Sequence, residues 1–313
     1  APIDTVHYPD LIDHKVGEQI IFPGAGFLEI AFTVARQYLK AENVLITSFE
    51  ILKPLDLTNG ESREVMTRVS PGSNTIEIFS RPRLSHVAWL LHCRGKIVHG
   101  NAAHEVNNPS APTGGQTIPH EEIYRIADGS GLHYGPKFRL VQHVVMHDDK
   151  HMSVQLALPE TYETPFALDP MRLDCSTHGL FTVFPELRAE ERGVTYIPVR
   201  LDHAALYKPG TLPEKCYIEI LVKSERSILA NYFLYGPENE LVAVLRGVRC
   251  QAVPVRRTAS LESIALIELP QLFDGTIAGK TGVTATARDV LAKAQAMEAA
   301  PEETSSDEGT MLV

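Results

Sequence analysis

Two short stretches of this sequence hold side chains that could work together as a general acid and a general base. The stretch DHKVGEQIIFPG contains His14, and the stretch LDPMRLDCSTH contains Asp174 and His178. A neutral imidazole accepts a proton well when its pKa lies near the working pH, and a carboxyl group donates one when burial keeps it protonated. His14 and Asp174 could therefore remove one proton and supply another to a leaving group.

Predicted helices lie beside both stretches. Apolar residues recur every three or four positions over residues 27–39, which predicts a helix directly after the His14 stretch. Pro170 is tolerated in a first helical turn, and the pattern around it predicts a helix over residues 169–184. Asp174 and His178 are one turn apart in that helix, so the two side chains are expected to share one face.

Strand-like stretches surround these helices and give the chain two halves of similar plan. Another helix is predicted at residues 120–128. A helix embedded among strands occurs twice, which indicates duplicated α+β units rather than alternating βαβ units. The predicted strands cover residues 44–51, 64–69, 75–80 and 87–98 in the first half, and 141–147, 152–157, 196–201, 216–224, 227–235 and 241–253 in the second.

A third stretch, GLHYGPKF, completes a pattern that is similar to a known family. The three stretches together resemble the dehydratase domains of type I polyketide and fatty acid synthases. The family motif HxxxGxxxxP is matched by His14 and Pro23, the motif DxxxQ/H by Asp174 and His178, and a GYGP-like turn by Tyr134, Gly135 and Pro136. Residues 196–199, YIPV, look like a divergent form of the family's LPF-type stretch.

The resemblance covers about residues 1–255 and implies an α+β double hot dog, in which two antiparallel sheets each wrap around a central helix. The expected organisation is an N-terminal hot dog half over residues 1–105, a linker over 106–119 and a C-terminal hot dog half over 120–255. Residues 256–313 follow as a further linker, with a candidate amphipathic helix at 286–300 and a disordered acidic end from 301.

The family's reaction gives each matched residue an expected role. Elimination of water from a β-hydroxyacyl thioester requires loss of an α-proton and departure of hydroxide. The resemblance implies that His14 is the base, that Asp174 is the acid, and that His178 orients the carboxyl or the hydroxyl group. The expected substrate-binding residues, which would line the cleft or hold the thioester carbonyl through backbone N–H groups, are Gly17, Glu18, Pro23, Gly24, Tyr134, Gly135 and Pro136.

The resemblance also implies partners. The substrate would be carried on the phosphopantetheine of an acyl carrier protein, and the domain would act beside neighbouring synthase domains, with homodimerisation a family expectation. No cofactor or metal is expected. The histidines at 143, 147 and 151 have a spacing that suits a metal only on a helix, whereas their valine-rich surroundings indicate a strand.

Some positions depart from the family pattern and keep alternatives open. Glu18 stands where a glycine is usual, and Arg172 could lower the pKa of Asp174 if it lay close. Cys175 is adjacent to Asp174 and is predicted to be a buried structural cysteine. A second hypothesis keeps the fold but assigns double-bond isomerisation or pyran-ring closure. A third assigns a non-catalytic structural module.

Composition excludes several other classes of protein. The formal charge of −10, from 29 basic and 39 acidic residues, argues against a nucleic-acid-binding surface. No apolar run approaches the roughly 18 residues needed to span a bilayer. Four scattered cysteines suit reduced thiols, so a cytoplasmic location is expected. The sequence begins with Ala and not Met, which indicates a piece of a longer chain.

Overall fold

Helix α1 (Gly24–Leu39) begins where Pro23, in an extended conformation, ends the preceding loop. Its buried residues Phe27, Leu28, Ala31, Phe32 and Ala35 recur at the spacing of one helix face, which explains why the predicted helix is present. The helix starts three residues earlier than predicted, because Gly24–Gly26 has no apolar periodicity to reveal it. It ends at a residue in the left-handed conformation, a common helix terminus.

Two further helices belong to the second half. Helix α2 (His120–Gly129) matches the predicted segment closely. Helix α3 (Pro170–Thr177) is capped at its N-terminus by Asp169, whose carboxylate accepts a hydrogen bond from the backbone N–H of Arg172. The chain then tightens into a 3-10 turn over His178–Thr182, so α3 is shorter than predicted. Hydroxyl groups that bond to backbone carbonyls in this region favour such a change of helix type.

Fifteen strands are present in the computed structural model, which describes residues 2–98, 109, 111–183 and 194–255. The linker predicted at 256–313, with its helix and disordered end, lies outside the described residues, as does part of the linker predicted at 106–119. In chain order the strands are β1 (Pro2–Ile3), β2 (His14–Val16), β3 (Gln19–Ile20), β4 (Val44–Ile51), β5 (Arg63–Ser70), β6 (Thr75–Pro82), β7 (Leu90–Val98), β8 (Gln116–Pro119), β9 (Leu132–Tyr134), β10 (Val141–Met146), β11 (His151–Leu156), β12 (Val194–Leu206), β13 (Lys215–Lys223), β14 (Ser227–Tyr235) and β15 (Leu241–Pro254).

Twelve of these strands form one antiparallel sheet, in the order β1-β5-β6-β7-β4-β12-β15-β14-β13-β11-β10-β8. The sheets of the two halves are joined edge to edge, because β4 pairs with β12 from Val44 opposite Leu206 to Glu50 opposite Arg200. The predicted double hot dog is confirmed, with the addition that its two sheets are continuous. Strands β2, β3 and β9 form a separate three-stranded sheet in the order β3-β2-β9.

The short strands were not predicted from the sequence. Strand β8 lies at the end of the predicted linker, where buried Ile118 pairs with Val144 of β10. Strands β2, β3 and β9 have two or three residues each, which is too few for an alternating pattern to show. The long strands agree with prediction to within a few residues, apart from β12, which extends from Val194 to Leu206.

The four cysteines are all buried and unpaired, as the reduced-thiol prediction requires. Within the described ranges, no helix is long and apolar enough to cross a membrane. The same ranges contain no group of three histidine, cysteine or carboxylate side chains placed to hold a metal ion.

The core contact of α1 can be tested by truncating Phe32, which is fully buried. Phe32→Ala removes a whole buried phenyl ring and leaves a cavity, so the free energy of unfolding should fall by about 3–5 kcal/mol. Val87→Ala, at a side chain 61% exposed, should change it by less than about 0.5 kcal/mol. Denaturant titration measures both values, and similar losses in the two variants would show that α1 is not packed as described.

Candidate active site

His14 lies where a 3-10 turn (Pro9–Asp13) passes into β2. Its backbone pairs with Tyr134 of β9, so a strand of the second half helps to hold the histidine. Its Nδ1 is 2.7 Å from the carbonyl oxygen of Ile21. Because a carbonyl only accepts hydrogen bonds, Nδ1 carries the hydrogen and donates it, which leaves Nε2 as the basic nitrogen of the neutral ring.

Asp174, on α3, faces that basic nitrogen. Its Oδ2 lies 3.7 Å from His14 Nε2 and 3.1 Å from His178 Nε2. The His14 ring also contacts the rings of Tyr134 and Phe138, with centroids 5.5 and 5.1 Å away. The structure therefore brings together the three side chains that the sequence singles out for acid and base chemistry, within a mostly aromatic enclosure.

A chain of hydrogen bonds fixes the orientation of His178. The backbone N–H of Val141 donates to the hydroxyl oxygen of Tyr124 at 3.1 Å, so that hydroxyl is free to donate its own hydrogen to His178 Nδ1 at 3.4 Å. His178 Nε2 then carries the other hydrogen and donates it to Asp174. His178 does not line the cavity described below, and its contact within this group is with the Asp174 carboxyl group.

Burial and the neighbouring histidines act in opposite directions on the pKa of Asp174. Burial by itself raises the pKa of the Asp174 carboxyl, but the charge on a protonated His14 and the hydrogen bond from His178 outweigh it and hold that pKa below its usual value. From the sequence we expected burial to keep this carboxyl protonated, with Arg172 as the charge that could lower its pKa, whereas the lowering comes from the two histidines. Burial lowers the pKa of His178, which favours the neutral ring required by its hydrogen bonds.

A cavity of about 200 Å³ opens between the two halves at His14 and Asp174. Most of its lining is apolar and comes from α1, the inner face of the sheet and the segment 196–199 that resembles the family's LPF-type stretch. Besides these two residues the lining comprises Val16, Ile21, Phe22, Gly24, Ala25, Phe27, Leu28, Phe49, Ile51, Leu52, Lys53, Pro54, Leu132, Tyr134, Leu173, Thr177, Phe181, Tyr196, Ile197, Pro198, Val199, Leu201, Leu245, Val248 and Val253.

Two of the expected substrate-binding residues, Gly24 and Tyr134, line this cavity. Gly17 does not, because it forms the turn between β2 and β3 with φ +60° and donates its N–H to the carbonyl of Gly131 at 2.7 Å. Glu18 follows in that turn and is exposed. The positive φ falls on Gly17, so glutamate in the next position carries no backbone strain. The N–H of Gly17 therefore already has a partner, and an oxyanion contact from the Gly17–Glu18 segment stays a prediction.

The other expected binding residues, Pro23, Gly135 and Pro136, do not line the cavity. Pro23 is buried at the start of α1 without facing the cavity. Gly135 donates its N–H to the carbonyl of Asp13 at 2.8 Å, and Pro136 is exposed at the start of the 3-10 turn that follows. This turn carries Phe138 against His14, so the GYGP-like stretch supports the histidine as well as lining the cavity.

Asp13 was missed by the sequence analysis although it precedes His14. Its side chain accepts a hydrogen bond from the N–H of Lys137 at 2.9 Å, and its backbone carbonyl accepts from Gly135. A Cβ atom at Gly135 would overlap Asp13 Oδ1. The glycine is therefore needed for the close approach of the turn, a contact that joins residues far apart in the chain and leaves no local signal.

Arg172 and Cys175 flank Asp174 in the chain without acting on the cavity. Arg172 donates from Nε to the carbonyl of Pro213 at 2.6 Å and from a terminal nitrogen to that of Ala157 at 2.7 Å, and it is not among the groups that lower the pKa of Asp174. Cys175 is fully buried, and burial raises the pKa of its thiol. The thiol therefore stays protonated and is not an activated nucleophile.

The fold is that of the double hot dog dehydratases. The family model described as polyketide synthase dehydratase N-terminal domain matches residues 102–260, and the model described as polyketide synthase dehydratase domain matches residues 3–81. The chain belongs to the polyketide synthase dehydratase family, whose reaction is the elimination of water.

Solved structures share this fold at low sequence identity. The dehydratase domain from the CurJ module of the curacin polyketide synthase superimposes with a TM-score of 0.69 and 21% identity, covering 81% of this chain and 90% of that one. A dehydratase domain of a trans-AT polyketide synthase from Brevibacillus brevis also gives a TM-score of 0.69, with 16% identity, covering 81% of this chain and 92% of that one.

Curated relatives are much longer proteins. A phenolphthiocerol/phthiocerol polyketide synthase protein of Mycobacterium tuberculosis is 28% identical over 221 residues, which is 66% of this chain and 12% of that protein. The highly reducing polyketide synthase ntnH of a Nectria species is 28% identical over 178 residues, which is 52% of this chain and 7% of that protein. The chain thus spans only a small part of the synthases it matches.

The contact between Gly135 and Asp13 predicts a large effect from a single methyl group. Gly135→Ala places a Cβ inside the Asp13 carboxylate, so the turn or the His14 segment must move, and we expect a loss of roughly 1–3 kcal/mol in the free energy of unfolding. Gly72→Ala is the matched control, since a Cβ there meets nothing within 4 Å. Equal stability of the two variants in denaturant titrations would disprove the close contact.

Proposed function

We propose that this domain removes water from a β-hydroxyacyl thioester carried by an acyl carrier protein and releases the α,β-unsaturated thioester. The observation that carries the proposal is the 3.7 Å distance between His14 Nε2 and Asp174 Oδ2, on two side chains that both line an apolar cavity. A base and an acid so close together can act on adjacent carbon atoms of one substrate, which is what elimination of water requires.

His14 acts as the base in this proposal. The hydrogen bond from Nδ1 to the carbonyl of Ile21 fixes the hydrogen of the neutral ring on Nδ1, so the lone pair of Nε2 is directed towards Asp174 and the cavity. The same carbonyl stabilises the imidazolium that forms when Nε2 takes the α-proton, because its negative end points at the N–H that gains positive charge.

Asp174 acts as the acid. Burial raises the pKa of its carboxyl and the largest opposing cause is the charge of a protonated His14, so the carboxyl holds its proton more firmly beside a neutral His14 than beside a charged one. In the reaction His14 gains the α-proton and Asp174 gives its proton to the departing hydroxide as water. The resulting imidazolium and carboxylate are neighbours, and return of one proton from His14 to Asp174 restores the starting state.

The start of α1 supplies donors for the thioester carbonyl. The first N–H groups of a helix have no partner within it, and Gly24 and Ala25 at this helix start both line the cavity. Negative charge that develops on the carbonyl oxygen as the α-proton leaves is stabilised there by the N–H groups and the helix dipole. Gly24 has no side chain to keep the substrate from its backbone.

A histidine and an aspartate are also the residues replaced in inactive forms of a solved relative. Structures of the CurK dehydratase of the curacin synthase include two inactive mutants, one with a histidine replaced by phenylalanine and one with an aspartate replaced by asparagine. The apolar wall of the cavity in this chain also suits the proposal, because a dry site strengthens the interaction of charges with the reacting atoms.

His14→Ala and Asp174→Asn should each lower kcat for dehydration by about 10²–10⁴-fold while leaving the fold intact, because each removes one proton transfer. His178→Ala should cost less, since it only orients the carboxyl group. The assay uses a β-hydroxyacyl thioester on an acyl carrier protein, with mass spectrometry of the product.

His133→Ala is the matched control for these variants. His133 is next to Tyr134 on β9, but its side chain is 48% exposed and is hydrogen-bonded to Asp128, so kcat should stay near that of the wild type. Activity retained in His14→Ala or Asp174→Asn would refute the assigned role. A cyclic or double-bond-shifted product from the wild type would refute simple dehydration as its reaction.

A further inference from the structure

Glu29 is a buried carboxylate that the proposed reaction does not use. It lies on the inner part of α1, only 7% exposed, and no cation pairs with it among the described residues. Its oxygens accept three hydrogen bonds: Oε1 from Thr33 Oγ at 2.8 Å and from the N–H of Ala167 at 3.0 Å, and Oε2 from the N–H of Leu168 at 2.7 Å. Burying a carboxylate costs free energy, so the three donors that converge on Glu29 indicate that this side chain has a specific role.

The two residues that Glu29 holds lead directly into the helix that carries the acid. Leu168 precedes Asp169, which caps α3 through its carboxylate and also accepts a hydrogen bond from the N–H of Leu173 at its carbonyl. Asp174 is the residue directly after Leu173. The backbone between the amides of Ala167 and Leu168 and Asp174 has little rotational freedom, because the intervening residues are fixed by the cap and the first helical turn.

The arrangement is reciprocal across the two halves. Asp174, on the helix of the second half, faces His14 in the segment that leads to α1. Glu29, on the helix of the first half, bonds the segment that leads to α3. The Asp174 carboxyl group faces the cavity, whereas the Glu29 carboxyl group accepts hydrogen bonds from two backbone amides and one hydroxyl group, so the two side chains have different roles.

We propose that Glu29 is a positioning residue that sets the distance between Asp174 and His14 by holding Ala167 and Leu168 to α1. The inference rests on the proposed function, since that distance matters only if the two side chains act on one substrate. Misplacement of a catalytic group by about 1 Å can cost about 10²-fold in rate, so a hydrogen-bonded link of this kind has a large effect on turnover.

Glu29→Gln tests the proposal with almost no change in shape. One carboxylate oxygen becomes an NH₂ group, and whichever way the amide is turned, this group faces the N–H of Ala167 or of Leu168. One of the two hydrogen bonds is therefore lost. We expect kcat to fall by roughly 10–100-fold with KM within about twofold, because the cavity wall that binds the acyl chain is unchanged.

Two control variants separate positioning from stability. Thr33→Val removes the hydroxyl donor but keeps both backbone bonds to Glu29, and it should leave kcat near wild type. Asn231→Ala removes hydrogen bonds to Gly247 and Glu219 in the second half and should lower the melting temperature without changing kcat. Glu29→Asp keeps the charge but is too short to reach both amides, so it should also lose turnover.

A crystal structure of Glu29→Gln gives a readout that does not depend on activity. The distance from His14 Nε2 to Asp174 Oδ2, 3.7 Å in the wild type, should increase. Wild-type kcat and an unchanged distance in the folded variants would overturn the proposal, as would failure of both Glu29 variants to fold, which would make the link purely structural. An inactive wild type would count against the proposed function, while the distance would still decide the role of Glu29.

Discussion

The closeness of one side chain from each half is the constraint on which the rest of this structure depends. His14 and Asp174 are separated by most of the described chain, yet their polar atoms must stay 3.7 Å apart beside an apolar cavity. A buried imidazole and a buried carboxyl group are tolerated only when their remaining hydrogen-bonding atoms have partners. The carbonyl of Ile21 and the imidazole of His178 supply those partners.

The two side chains are held by different kinds of structure. His14 is fixed by strand pairing, since β2 is placed between β3 and β9, and by the turn that Asp13 draws against it. Asp174 is fixed by a helix whose start is capped and hydrogen-bonded to α1. Each half thus supports the residue contributed by the other. A loss of packing in either half would change the positions of the same two atoms, His14 Nε2 and Asp174 Oδ2.

Much of this was accessible from the sequence, and the missing parts have a common cause. The long strands and α1 follow from periodicity, and His14, Asp174 and His178 follow from their spacing and family resemblance. The supporting contacts of Asp13, Glu29 and Tyr124 could not be predicted, because each joins segments distant in the chain and no local pattern marks it. The same holds for the protonation of Asp174, which depends on the charge of a neighbour as well as on burial.

The seam between β4 and β12 has a consequence for how the chain acquires its structure. As the chain is synthesised, β4 can pair with β7 early, but its other edge, from Val44 to Glu50, has no partner until β12 has been made. An unpaired strand edge is a template for association with other chains, and pairing across so long a separation is slow. During translation, one edge of β4 in the first half therefore stays unpaired until β12 of the second half has been made and pairs with it.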